Sequence, residues 1–322
     1  MVEAATTKKT KTTQTCPVCN HRESEVLRVG VREDPTEKVY RCSRCRLEFL
    51  QRPKYDLREY YREQYRESHS YVVGESLNSR KSFDLMRPHM GHRVKLFKEM
   101  VPKGAIVLEI GCASGYFLDA IRDEYSVYGS EWNPEDAAFV RDELGIPCEE
   151  GNLDDIFPGQ KFTAICGFQV LEHVADPVGW LRLIKKRLIG GGWIHIEVPN
   201  AESALVSLYD MPDFNDFWYR APHLQLFNMQ NLAILLGSLG FEAQIRLRQE
   251  YSLANAFHWM MTGKPQKDFT QATSAMLPVS TEHPAHAVVN RFFGSIDRQY
   301  RSLMDTTKAA DRLVAAGRKR EV

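Results

Sequence analysis

The chain has 322 residues, 43% of them hydrophobic, with Lys+Arg and Asp+Glu equal at 42 each. This neutral balance, with a pI of about 7.1, speaks against a dedicated nucleic-acid binder, which carries a basic excess. No apolar run approaches the ~20 residues of a membrane span, and residues 1–10 hold no signal-peptide core, so the expected location is cytoplasmic.

Residues 1–14, rich in Thr and Lys, read as a disordered tail. Segment 15–52 contains Cys16-Pro17-Val18-Cys19 and Cys42-Ser43-Arg44-Cys45, two C-x-x-C pairs at the separation of a zinc ribbon. Cys16, Cys19, Cys42 and Cys45 are expected to hold one structural Zn2+, because four thiolates leave no coordination position open. Alternating residues 25–29 and 38–41 suggest strands between the pairs. Segment 53–100 reads as a helical linker or lid, with Tyr55, Tyr60, Tyr61, Tyr65 and Tyr71 set among charges. Interleaved Arg and Tyr also serve single-stranded nucleic-acid platforms. The acids Asp56, Glu59, Glu63 and Glu67 favour a solvated helical face instead. Residues 79–100 form a helix or two, broken near Pro88.

The region 101–250 is organised around residues 105–118. A branched apolar run leads to Gly111 and Gly115, and helical composition resumes at Tyr116. A strand, a glycine turn and a helix place backbone N–H groups around a ligand at the carboxyl edge of a sheet. The G-x-x-x-G spacing, with Ala113 inside it, fits the dinucleotide fingerprint poorly. Residues 127–131 form a strand ending in Glu131, where an acid hydrogen-bonds a ribose. Further strands are expected at 146–149, 162–167, 193–198 and 242–248. A helix over 177–188 starts at Asp176-Pro177 and should stop at Gly190-Gly191-Gly192. Leu232, Leu235, Leu236 and Leu239 mark another helix, ending at Gly240. This alternation predicts an α/β fold, a doubly wound sheet covered on both faces. Residues 251–322 read as a C-terminal helical extension. Its long helix, from about 284 to 317, carries an apolar stripe (Val289, Phe292, Ile296, Leu303) for the domain or for a second subunit, which leaves a homo-oligomer open.

Three stretches together resemble the class I S-adenosylmethionine (SAM)-dependent methyltransferases over about residues 100–250. They are Leu108-Glu109-Ile110-Gly111-Cys112-Ala113-Ser114-Gly115, Glu131-Trp132-Asn133-Pro134 and Gln169-Val170-Leu171-Glu172-His173-Val174-Ala175-Asp176-Pro177. The last is shared with small-molecule methyltransferases of the quinone and sugar types. The cysteine-paired segment ahead of the domain is similar to bacterial methyltransferases that modify sugars or surface polysaccharides. The resemblance implies a Rossmann-like methyltransferase sheet and a set of SAM contacts. Glu109 would face the amino group, Gly111, Ala113 and Gly115 would form the backbone cradle, and Glu131 would hold the ribose, with its neighbour Trp132 a further cofactor contact. Asn152 and Leu153 would form the adenine loop, and Phe168 and Gln169 would lie beneath the methionine moiety. Ala113 stands for a frequent glycine and Asn152 for a frequent aspartate.

The implied activity is methyl transfer, O- or C-directed, to a small-molecule or saccharide acceptor by in-line displacement. A general base would assist. His223, among Phe217, Trp218, Tyr219 and Pro222 in the segment that lines the acceptor side, is the first candidate. His173 is the alternative, and His195, inside a strand, is expected to be a hydrogen-bonded core residue. Two other functions compete. A zinc-ribbon RNA methyltransferase is opposed by the neutral charge and by the lack of an Asn/Asp-Pro-Pro-aromatic tetrad after the fourth strand. An NAD-dependent sugar enzyme would need a Tyr-x-x-x-Lys pair, which the sequence lacks.

Overall fold

The structure, a computed structural model, describes residues 11–51, 56–63, 72, 75–209, 211–276 and 282–320. The expected tail over 1–10 and Tyr55, Tyr65, Glu67 and Tyr71 lie outside the described residues. Among the described residues two sheets form. The smaller is antiparallel and holds β1 (Lys11–Thr12), β2 (Ser24–Val31), β3 (Asp34–Cys42) and β4 (Glu48–Phe49). Residues 11–12, expected in the tail, are therefore ordered by pairing with Ser24 and Glu25. The outer edge of this sheet is closed by β10 (Gln225–Leu226), which comes from far along the chain and pairs with β4.

The larger sheet contains β5 (Ile106–Ile110), β6 (Ser126–Ser130), β7 (Cys148–Glu149), β8 (Phe162–Phe168), β9 (Leu188–Pro199), β11 (Phe241–Arg248) and β12 (Arg312–Lys319). Its order is β11-β12-β9-β8-β5-β6-β7. Strands β5 to β9 are parallel, and β12 runs antiparallel between β9 and β11. This is the expected doubly wound sheet. The order reverses between β5 and β8, and a crevice opens outside the carboxyl ends of strands at such a switch point. Successive side chains go to opposite faces. Val107 and Ala164 join a core with Phe97, Phe117 and Ile121, while Leu108 and Ile165 join another with Leu181, Ile184, Leu232 and Leu235. Each buried aliphatic side chain contributes about 1.5–3 kcal/mol, which is why both faces carry helices.

The ribbon shares the second of these cores. Cys16, Leu47 and Phe49 pack in one cluster with Phe227 and the sheet residues. The aromatic stretch expected to wall the acceptor pocket is spent elsewhere. Phe214, Trp218 and Tyr219 are buried with Val31, Val39, Leu50 and Trp259 beneath the ribbon, and Tyr219 Oη donates to Glu48 at 2.8 Å.

Two expectations at element ends are corrected. The helix Pro177–Arg187 is capped by Asp176 as predicted, but Gly190-Gly191-Gly192 does not stop it. The chain enters β9 at Leu188, and the glycines absorb a register slip between the Phe162–Leu188 and Ala164–Trp193 pairs. The C-terminal helix spans His286–Thr306 and does not reach residue 317. Residues beyond it return as β12, with Leu313 and Ala315 fully buried. That helix docks by a face beside its predicted stripe: Asn290, Asp297 and Met304 are buried and Val289 and Ile296 half-buried, whereas Phe292 and Leu303 are about 60% exposed (61% and 58%). Among the described residues no helix is long and apolar enough to cross a membrane.

Candidate active site

The turn after β5 has the geometry its glycines predict. Gly111 has φ +67°, and a Cβ there would lie 2.8 Å from Val170 Cγ2. Gly115, at φ +75°, would place a Cβ 2.8 Å from Val140 Cγ2. A side chain at either position meets both backbone strain and a packed neighbour. Ala113 adopts the left-handed conformation at φ +47°, a cost a glycine would avoid. Gly111 N–H and Cys112 N–H both donate to the Ser130 carbonyl, at 2.8 and 3.1 Å, tying the turn to the end of β6. Glu131 completes the clamp, accepting from Ala113 N–H at 2.9 Å and Asn133 N–H at 3.0 Å. Burial raises its pKa to about 7, helped by Asp136 and opposed by those backbone bonds.

Glu109, on β5, is 2% exposed, and its Oε2 accepts no hydrogen bond among the described residues. Burial lifts its pKa well above the carboxylate range, with the Arg93 charge acting against that rise. An orphaned carboxylate oxygen beside a glycine turn is an acceptor that an ammonium-bearing ligand satisfies. The SAM contacts inferred from the resemblance fit here. Trp132 Nε1 donates to the Gly151 carbonyl at 3.0 Å, joining the end of β6 to the next loop. In that loop Asn152 is exposed, whereas the Leu153 side chain is buried in the core. Arg187 holds the loop from below, donating to the carbonyls of Leu153 (2.5 Å), Ile156 (2.9 Å), Phe157 (2.8 Å) and Gln160 (3.2 Å).

At the end of β8, Phe168 is buried with its ring 4.7 Å from that of Phe117 and beneath the Arg93 guanidinium. Gln169 takes φ +59°, and its N–H donates to the Glu197 carbonyl at 2.7 Å. Glu197 itself is the centre of a charge cluster that spacing does not reveal. Arg93 reaches it with two bonds, 2.6 and 3.3 Å, and Arg248 approaches to 3.6 Å. Burial pushes this carboxyl up, yet the Arg93, Arg248 and Arg312 charges prevail and hold it at about 2. Nothing in the sequence pairs Arg93 with Glu197, which are 104 residues apart and meet only in the tertiary fold. His195 is a core residue as expected, packed by Phe97 and Phe168, but its Nδ1 makes no hydrogen bond among the described residues. Burial lowers its pKa to about 4, so the ring is neutral.

The structure brings His173 and His223 together. Their ring centroids lie 4.9 Å apart in an edge arrangement. The His173 Nδ1–H donates to the Pro222 carbonyl at 2.8 Å, and burial lowers its pKa to about 4. Glu172 beside it is 1% exposed, and neither carboxylate oxygen accepts a hydrogen bond among the described residues. Burial raises its pKa to about 8. Tyr61, on the helix Leu57–Glu63, lies with its ring 5.6 Å from Trp132 and 5.6 Å from His173, so one residue touches the cofactor side and the histidine side. The helix is solvated as expected at Arg58, Glu59, Arg62 and Glu63, and Tyr61 is the face that turns inward.

The four ribbon cysteines converge with all Sγ atoms within 4.8 Å of one another. Cys16 and Cys45 Sγ are 3.6 Å apart, as are those of Cys19 and Cys42. Thiolates so crowded repel one another, which a divalent cation relieves. A tetrahedral set of four thiolates fits that need and leaves no position open for chemistry.

A glycine turn at the switch point, with Glu109 on β5 and Glu131 just after β6, is the arrangement of a nucleotide-type cofactor site on a Rossmann-like α/β sheet. The chain belongs to the methyltransferase domain family, which matches residues 84–244. A probable S-adenosylmethionine-dependent methyltransferase from Mycolicibacterium smegmatis is 30% identical over 144 residues, covering 44% of this chain and 53% of that protein. The chain thus spans about half the length of that curated relative. Among solved structures, a SAM-dependent methyltransferase from Archaeoglobus fulgidus shares 18% identity over 74% of this chain and 94% of its own, with TM-score 0.46. The complex of the Haloferax volcanii Trm112 methyltransferase activator with a putative methyltransferase gives 16% identity, 75% and 95% coverage, and TM-score 0.48.

Proposed function

We propose that this chain is a SAM-dependent methyltransferase acting on a small-molecule or saccharide acceptor through an oxygen or carbon atom. The observation that carries the reading is the juxtaposition, across Tyr61, of the Gly111–Gly115 turn's neighbour Trp132 with the His173–His223 pair. SAM supplies a methyl group already activated on a sulfonium, so the protein's work is mostly positioning and the exclusion of water. Glu109 would take the amino group, Glu131 the ribose hydroxyls, and the loop at Asn152 and Leu153 the adenine edge. Phe168 and Gln169 would form the floor. His223, partly exposed, is the acceptor-side base; His173 is more buried and has its Nδ1–H committed to Pro222. The reading also places one structural zinc on Cys16, Cys19, Cys42 and Cys45, and the protein in the reducing cytoplasm.

The test compares His223→Ala and His173→Ala for turnover and SAM affinity, with acceptors found by offering labelled SAM to a cell extract. Loss of a base should lower turnover roughly 10²–10⁴-fold with SAM affinity nearly intact. If His173→Ala alone shows that loss, the roles are exchanged. Near-normal turnover in both leaves positioning as the whole of the chain's contribution.

A further inference from the structure

We infer that Glu172, His173 and His223 form a three-ligand site for a divalent transition-metal cation on the acceptor side of the cleft. Each residue offers one ligand atom, and these atoms all lie within 4.8 Å of one another. The Glu172 Oε1 to His173 Nε2 distance is 3.9 Å. Metal–N and metal–O bonds of about 2.0–2.2 Å hold neighbouring ligand atoms roughly 3–3.5 Å apart. The ligand atoms therefore stand within about 2 Å of the spacing a cation imposes.

Three further observations point to a cation. Glu172 is 1% exposed and neither of its oxygens accepts a hydrogen bond among the described residues. A carboxyl so buried either stays protonated or is ionised by a paired charge or a bound metal ion. The His173 Nδ1–H donates to the Pro222 carbonyl at 2.8 Å, which fixes the tautomer and leaves the Nε2 lone pair turned to the cluster. A ring N–H held by a backbone carbonyl is the usual outer support of a metal-bound histidine. His223, partly exposed, is the third ligand and faces the open side. Two imidazoles and one carboxylate, with coordination positions left over, make a reactive rather than a structural site. The donors are nitrogen and oxygen, so the site is chemically distinct from the thiolate cluster of the ribbon.

The role of the cation rests on the methyl-transfer reading: its open positions would bind acceptor oxygens and lower their pKa. In that case the fall in turnover expected of His223→Ala reports a lost metal ligand, and the metal content of that variant separates this from a lost base. The existence of the site can be tested without SAM or acceptor, so its failure and that of methyl transfer are separable. The full chain, its ribbon cysteines filled with zinc, is titrated with Co2+ alone and followed by visible absorption and metal analysis. The expected result is about one Co2+ per chain with ligand-field bands and no thiolate charge-transfer band. Glu172→Gln, His173→Asn and His223→Asn should each weaken Co2+ binding at least about tenfold while zinc content stays constant. His223 is partly exposed, so its variant decides the matter if either buried variant unfolds. Absence of ligand-field bands in the parent protein, or Co2+ binding unchanged in His223→Asn, overturns the site.

Discussion

Glu197 and Glu172 are each 1% exposed, on β9 and just after its neighbour β8, yet their surroundings are opposite. Glu197 meets Arg93 and Arg248, and its pKa is about 2. Glu172 accepts no hydrogen bond among the described residues, and its pKa is about 8. Glu109 belongs with Glu172, since its Oε2 is also orphaned. A carboxylate compensated from within the protein stays ionised, whereas a buried one with no internal partner is held protonated unless a ligand or ion compensates it. The ribbon cysteines, with all Sγ atoms within 4.8 Å of one another, would fall on the closed side of this division with the proposed zinc bound.

The largest effect should come from breaking the closed metal cluster. Structural zinc contributes on the order of 10–16 kcal/mol in small Cys-rich folds. Cys42→Ser should therefore abolish the expected single zinc and expose the chain near residue 50 to protease. Because β10 pairs with the ribbon two residues after His223, turnover should fall as well. A variant that keeps its zinc and its protease resistance would remove the ribbon from the closed class.

Glu197→Gln should cost about 3–5 kcal/mol of stability in urea unfolding, since it strands the buried Arg93 charge. Unchanged stability would mean that Arg93 is compensated elsewhere. Glu131→Ala should act on the ligand instead, losing about 2–3 kcal/mol of SAM affinity, or tens- to hundredfold, by calorimetry. Equal affinity in that variant would dissociate Glu131 from the ribose.

The smallest effects are those of pH, and they differ in sign. The Glu197 pKa is depressed to about 2, so its contribution is full above the unfolded value of about 4.3 and is lost as pH falls toward 2. Acid unfolding of the SAM-free protein should be blunted in Glu197→Gln. Glu131, raised to about 7, must ionise to accept from ribose hydroxyls, so SAM affinity should rise with pH through about 7. A flat affinity between pH 6 and 8 (a range of about one unit either side) would place Glu131 outside the binding equilibrium.

Short-range chemistry is what made much of the molecule legible. The apolar run before Gly111, the acid ending β6, the Asp176-Pro177 cap and the paired cysteines each specify a conformation or ligand set within a few residues. Arg93 and Glu197 were invisible because they lie 104 residues apart in sequence and meet only in the tertiary fold. The aromatic residues around His223 misled for a related reason: composition marks Trp218 and Tyr219 as surface for a ring acceptor, but the ribbon covers them.

By itself the sequence determined the α/β alternation, the cofactor turn and the cysteine cluster, because each depends on local backbone preference or on ligand spacing. Tertiary structure alone decided the end of the chain. Residues Val314-Ala315-Ala316-Gly317 have small side chains and, apart from the glycine and valine, good helix propensity, so in isolation they continue the preceding helix. The gap between β9 and β11 offers hydrogen bonds on both edges, with Ala315 opposite Ile196 on one side and Ile245 on the other. Pairing on two edges and full burial outweigh an intrinsic preference of less than about 1 kcal/mol per residue, and the segment becomes a strand.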